Sequence, residues 1–181
     1  MTCFCYTSIY MIHEALSQDI PHLVALDRTS YGDYGANEQY FQQKISSPNA
    51  KVLVAETNRR ISGFVVFEVM EQDQELKDFS DLKISEPMTG KWMHIIAFTT
   101  VSNFKDIQAD SKLLLAAEDQ AKRLGCTQFC VPLSIDHPYA KNGVFGFWEK
   151  NGYRNAGTIK WIASPTETID CFFYMKFSNQ L

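Results

Sequence analysis

The run FKDIQADSKLLLAAEDQAKRLG, Phe104 to Gly125, constrains this chain most. Ile107, Leu114, Ala117, Ala121 and Leu124 recur at the spacing of one helix face. Lys122 and Arg123 fall in the last turn, where cations complement the helix dipole, and Gly125 suits the position just past the end. Strand-like runs flank the helix, WMHIIAFTTV (92–101) before it and CTQFCVPLSI (126–135) after it. A helix with one apolar face between two strands belongs in an α/β mixture.

The rest of the chain fits that class. IYMIHEAL (9–16) reads as a first strand. DIPHLVALDR reads as a helix, with Asp19 as N-cap and Pro21 in its first turn. After the SYGDYG loop, ANEQYFQQKI is a second short helix with Tyr40, Phe41 and Ile45 on one side. KVLVAET (51–57) and RISGFVVFEVM (60–70) are strands joined tightly through Asn58-Arg59. GVFGFWEKNGY is a short helix closed by Asn151-Gly152, and TIKWIAS and CFFYMKF are the last strands. The expectation is a mixed, mostly antiparallel twisted sheet of six to seven strands with about four helices.

Residues 68 to 86 differ from their surroundings. Seven acids and two lysines give this stretch a net charge of −5 with weak periodicity. It is expected to be a solvated acidic excursion between strands (71–90), whose Asp73, Glu75 and Asp78 guide a cationic substrate or simply keep the loop soluble.

The chain has 181 residues and a net charge of −4. Its only basic doublets are Arg59-Arg60 and Lys122-Arg123, which disfavours nucleic acid as a partner. One domain is expected over 1–181, with an N-terminal extension at 1–8. The five cysteines are an odd set, and TCFCYTSIYMI lacks the basic flank of a leader and the length of a membrane span. A reducing cytoplasm follows as the expectation, with no membrane anchor. Cys3-x-Cys5 hints at metal, but Cys126 and Cys130 in an extended run stand about 13 Å apart, too far for one ion. Plain thiols and no metal are the reading.

A loop that opens a helix is a natural place to bind phosphate. Here the opening holds Asp106, Gln108 and Asp110 where a phosphate cradle favours glycine. The two acids fit equally as ordinary first-turn residues, favourable with the dipole, or as parts of a remodelled site.

Three segments together resemble the GNAT N-acetyltransferase family, over roughly Tyr10 to Phe177. RISGFVVFEV is similar to the family's hairpin strand. FTTVSNFKDIQADSKLL follows the register of its cofactor motif, Arg/Gln-x-x-Gly-x-Gly/Ala, and FWEKNGY that of its late Phe-Tyr-Glu-Lys-x-Gly-Phe helix. The resemblance implies acetyl-CoA, or another acyl-CoA, held between two splayed parallel strands, 92–101 and 126–135. By register, main-chain groups of Phe98, Thr99, Thr100 and Val101 would hold the pantetheine arm. Those of Lys105, Asp106, Ile107, Gln108, Ala109, Asp110 and Ser111 would hold the pyrophosphate, with Asn142 a further contact. Gln108 and Asp110 depart from the motif's small residues, and Trp148 stands where the family often has an acidic tyrosine.

Attack of an amine on a thioester needs a path for the ammonium proton. His94 is the foremost candidate. Period-two alternation places it on one face with Ile96, Phe98 and Thr100, and family members carry a histidine at the corresponding strand position. His137, Glu56 and Glu68 follow, and Tyr31, Tyr34 and Tyr40 are candidate pocket walls. The acceptor implied is a small-molecule amine or a protein amino group. Two functions stay open, an acyl-CoA-dependent N-acyltransferase and a non-catalytic GNAT-fold binding protein with a decayed CoA site. A homodimer paired through the FFYMKF strand is a further expectation.

Overall fold

The computed structural model describes residues 10–71, 79–85, 90–164 and 167–178. Cys3, Cys5, the 1–8 extension and the acids Asp73, Glu75 and Asp78 lie outside the described residues. Among the described residues there are eight strands, β1 (Tyr10–Glu14), β2 (Ala50–Thr57), β3 (Arg60–Met70), β4 (Phe79–Ile84), β5 (Trp92–Thr100), β6 (Gln128–Ser134), β7 (Arg154–Ser164) and β8 (Glu167–Phe177). Four α-helices accompany them, α1 (Ile20–Tyr31), α2 (Glu38–Ser46), α3 (Ile107–Arg123) and α4 (Val144–Lys150). The strands form one sheet in the order β1-β2-β3-β5-β6-β8-β7-β4. Only β5 and β6 are parallel; every other neighbouring pair is antiparallel.

Local chemistry accounts for most elements. Asn58 and Arg59 take positive φ (51° and 64°), the pair of left-handed residues that a two-residue hairpin between β2 and β3 requires. Asn37 caps α2 by accepting the Tyr40 N–H, and Asp106 caps α3 by accepting the Ala109 N–H. Asp19 precedes α1 as expected, but its carboxylate turns back to accept the Leu16 N–H instead of capping the helix.

Two layers cover the sheet. Leu113, Leu114 and Ala117 of α3 and Phe147 and Trp148 of α4 pack with Val65, Phe67, Ile95, Phe98 and Val131 on one face. On the other face, α1 and α2 bury Leu23, Val24 and Phe41 against Val52, Val54, Phe64 and Val66.

Two expectations are corrected. The acidic excursion is not solvated throughout, because its second part forms the edge strand β4, paired with β7, and buries Phe79 against Phe173. The FFYMKF strand offers no edge for a dimer. It lies in β8, which is hydrogen-bonded to β6 on one side and β7 on the other, so its main-chain groups are already taken.

Candidate active site

The chain changes direction between β5 and α3, and this turn positions the site. Asn103 and Phe104 both take the left-handed conformation (φ 48° and 66°), which is unusual for a bulky side chain. The Asn103 N–H bonds the Thr100 carbonyl at 3.1 Å, and its side-chain oxygen accepts from the Ser30 hydroxyl of α1 at 3.3 Å. The turn drives Phe104 inward, where its ring stacks on Phe98 (centroids 6.0 Å) and meets Phe147 at 5.3 Å. Lys105 is left exposed on the outside.

Asp110 closes the turn from within. It is 3% exposed, and its carboxylate accepts from the Ser102 hydroxyl at 2.5 Å. The Thr100 hydroxyl stands behind it, 3.2 Å from the Ser102 hydroxyl. Burial raises the Asp110 pKa above the usual aspartate value, while hydrogen bonding pulls the other way. Asp106 holds the Ala109 N–H from outside the same helix start. Helix geometry leaves the N–H groups of Ile107 and Gln108 without intrahelical partners.

The strands beside this turn are far less satisfied. β5 and β6 pair only at Trp92–Gln128, Met93–Phe129 and His94–Cys130, and then part. The Val101 N–H bonds Ser62 on β3, so strand alternation points the Thr99 groups toward β3 and those of Phe98 the other way, into the wedge. Phe98, Phe104, Phe147 and Trp148 pack against one another beside that wedge, all buried. Trp148 is 1% exposed, and its indole N–H has no hydrogen-bond partner among the described residues. Gly63 lets β3 cross the end of β5 closely, since a Cβ there would lie 2.9 Å from the Thr100 methyl and 3.1 Å from the Thr99 oxygen.

A strand leading into a turn and a long helix, beside a parallel neighbour that splays away, sets this architecture apart from an ordinary antiparallel sheet. No protein-family model matches the sequence, and no curated protein matches it significantly. Solved structures do match. An acetyltransferase of the GNAT family from Streptococcus pneumoniae superposes with a TM-score of 0.63 at 19% identity, covering 94% of this chain and 100% of that one. Arabidopsis thaliana NAA60 in complex with acetyl-CoA gives 0.70 at 12% identity, covering 94% and 99%. The ribosomal-protein-S18-alanine N-acetyltransferase from Escherichia coli gives 0.65 at 11%, covering 96% and 99%. The chain has the GNAT acetyltransferase fold.

Within the GNAT frame the sequence-derived candidates separate into groups. Phe98, Thr99, Thr100 and Val101 form the end of β5 and its exit, beside the wedge. Lys105, Asp106, Ile107, Gln108, Ala109, Asp110 and Ser111 form the turn and the helix start, with Lys105, Asp106 and Gln108 exposed. Asn142 stands exposed on the short turn that opens α4.

His94 is not on the face of Phe98 and Thr100. Val66 lies opposite Ala97, but Phe67 lies opposite Ile95, so Ile96 is an extra residue in β5. This bulge resets the alternation. Phe98 therefore faces α3 and α4, whereas Ile96 and Ala97 face α1 and α2. His94 packs between Phe79 (4.9 Å) and Trp92 (6.1 Å), and neither ring nitrogen has a partner among the described residues. Burial, with the nearby Lys44 charge, lowers its pKa to about 3. Beside it across the ladder is Glu68, paired with Lys44 at 2.6 Å.

His137 sits after β6 in an aromatic group with Tyr31, Phe104 and Tyr139, and burial lowers its pKa to about 4. Its Nδ1 accepts the Tyr139 N–H. Glu56 lies 3.6 Å from His13 at the β1–β2 end, away from the wedge. Tyr34 is 92% exposed, whereas Tyr31 and Tyr40 are packed. Sequence reasoning missed Asp27. This buried acid of α1 accepts from Thr99 (2.8 Å) and the Ala36 N–H (2.7 Å), tying the end of β5 to the α1 side. A lone Asp on an apolar helix face is the only trace it leaves in the sequence.

Among the described residues no His, Cys, Asp and Glu group is arranged to hold a metal, and no helix is long and apolar enough to cross a membrane. Cys126, Cys130 and Cys171 are buried free thiols.

Proposed function

We propose that this protein is an acyl-CoA-dependent N-acyltransferase, with acetyl as the acyl group and a small-molecule amine or protein amino group as acceptor. The observation that carries the reading is the wedge, where β5 and β6 part after three residue pairs beside the start of α3. The main-chain groups of Phe98 turned into that wedge suit the amides of a pantetheine arm. In the transfer the amine nitrogen bonds the thioester carbonyl carbon, the carbon–sulfur bond breaks, and the thiol leaves with the proton.

The geometry supports the following roles. The unpartnered indole N–H of Trp148, beside Phe98, supplies one hydrogen bond to the departing sulfur. Trp148 cannot supply the proton itself. His94 does not serve as base in this reading. With a pKa of about 3 it is too weak to keep a proton taken from an ammonium group. The amine gives its proton to water before attack, and His94 serves as a packed core group between Phe79 and Trp92. We read 1–181 as one acyltransferase domain acting in the cytoplasm.

The test is thiol release from acetyl-CoA against a panel of primary amines and N-terminal peptides, with acetylated product confirmed by mass. Turnover with any acceptor supports the reading. Absence of turnover, together with absence of thioester binding, favours the non-catalytic GNAT-fold alternative, which the filled α3 turn also suits.

A further inference from the structure

We infer that this protein recognises the pantetheine arm of its acyl donor and not the nucleotide, because the Asp110 carboxylate, held by Ser102 within the turn, sets a negative charge at the α3 start that a diphosphate would have to approach. The inference rests on the acyltransferase reading and narrows its donor to a pantetheine thioester as such.

The turn has the groups an anion needs. The Ser102 hydroxyl donates to Asp110 at 2.5 Å, and the Thr100 and Ser102 hydroxyls lie 3.2 Å apart. Donors converging from a bent backbone onto a helix start make a concavity for negative charge. Here the charge is covalently part of the chain, and at 3% exposure it is enclosed.

Three features keep it there. The left-handed backbone at Asn103 and Phe104 bends the chain inward, and the buried Phe104 ring is pinned by Phe98 and Phe147. Asp106 takes the Ala109 N–H from the solvent side, so one more first-turn donor is unavailable. Gln108 and Asp110 stand where glycine would let a phosphate approach the backbone. A phosphate charge about 5 Å from Asp110 at an effective dielectric of about 20 loses more than a hundredfold in affinity before screening. Exposed Lys105 and Lys112 offset part of this only at the surface, and Lys112 already lies over the Tyr10 ring at 5.4 Å.

The wedge shows no such self-filling of its main chain. No β-ladder bond joins β5 to β6 beyond His94 and Cys130. The donor site is therefore split into an arm section that lacks a partner and an anion section that already has one.

The experiment is calorimetric titration of the full chain with acetyl-CoA, S-acetyl-pantetheine and adenosine 3′,5′-bisphosphate. The two thioesters are expected to bind within about threefold of each other, and the nucleotide to give no heat at about 1 mM. Asp110→Asn keeps the side-chain shape and removes the charge, and it should bring nucleotide binding within reach by about tenfold. Thermal unfolding of the variant checks that it folds, and the wild-type comparison decides the matter without it. Acetyl-CoA binding a hundredfold or more tighter than S-acetyl-pantetheine, or micromolar nucleotide binding to wild type, overturns the inference and leaves the acyltransferase reading intact. If neither thioester binds or reacts, the acyltransferase reading falls and takes the inference with it.

Discussion

The turn at 101–110 and the wedge beside it are neighbours along β5, yet they are finished in opposite ways. In the turn, Thr100 bonds Ser102, Ser102 bonds Asp110 and Asp106 holds the Ala109 N–H, and two residues accept left-handed backbone. In the wedge, the strands separate after three residue pairs and no β-ladder bond joins them further on. A buried polar group without a partner costs about 1–3 kcal/mol, so a fold tends to leave one only where something else binds. On the proposed reading, the contrast means that one internal carboxylate closes the anionic end of the acyl-donor site while the arm end stays open.

The sharpest way to break the comparison is at Phe104, which belongs to both regions. Phe104→Ala removes a buried ring and should cost roughly 3–5 kcal/mol in urea unfolding. If the turn holds itself together through Asp110 alone, the loss will instead be below about 1 kcal/mol.

The next largest effect is acidic instability from His94. Its pKa is lowered to about 3 in the folded chain, whereas unfolded histidine titrates near 6.5. The unfolded state therefore binds more protons as pH falls below about 6.5, and stability drops with falling pH. Between pH 6.5 and 4.5 this amounts to roughly 2–3 kcal/mol, with His137, lowered to about 4, adding a similar slope. His94→Gln should flatten its share in pH-dependent unfolding and change turnover little. A hundredfold fall in kcat with stability intact would restore His94 as the base.

Asp27 and Asp110 act in the reverse sense. Burial raises both pKa values, so the folded chain holds protons that the unfolded chain has released. Their contribution is greatest at low pH and declines as pH rises through the folded values. Asp27→Asn and Asp110→Asn should each weaken that decline. Only Asp110→Asn should also alter nucleotide binding, since Asp27 grips Thr99 from the opposite face.

Gly63→Ala should cost roughly 1–3 kcal/mol, because its methyl meets Thr100 where β3 crosses β5. It should also weaken S-acetyl-pantetheine binding by displacing that strand end, which a purely structural glycine would not do. Asn142→Ala, at an exposed turn, is the smallest, within about 0.5 kcal/mol and without change in thioester binding.

Much of the frame was legible in the sequence. The spacing from Ile107 to Leu124 and the Asn58-Arg59 hairpin follow from local chemistry, which acts over a few residues whatever the surroundings. The GNAT order of elements followed from these, although β4 did not. Its acids hide a strand whose pairing with β7 uses main-chain groups that carry no side-chain signature. The place of β8 inside the sheet was equally hidden, because strand order is fixed by contacts between distant segments.

At the site, the sequence by itself determined which residues stand at the start of α3, and that two of them are acids. Tertiary structure decided what those acids do. Asp106 turned outward to the helix's own N–H, while Asp110 turned inward to Ser102, a choice that depends on the path of a loop anchored by Ser30 and Phe98. It also decided the side on which His94 lies. Alternation along β5 is a local rule, but the face a residue takes depends on register with β3, and one extra residue at Ile96 changes it for all that follow.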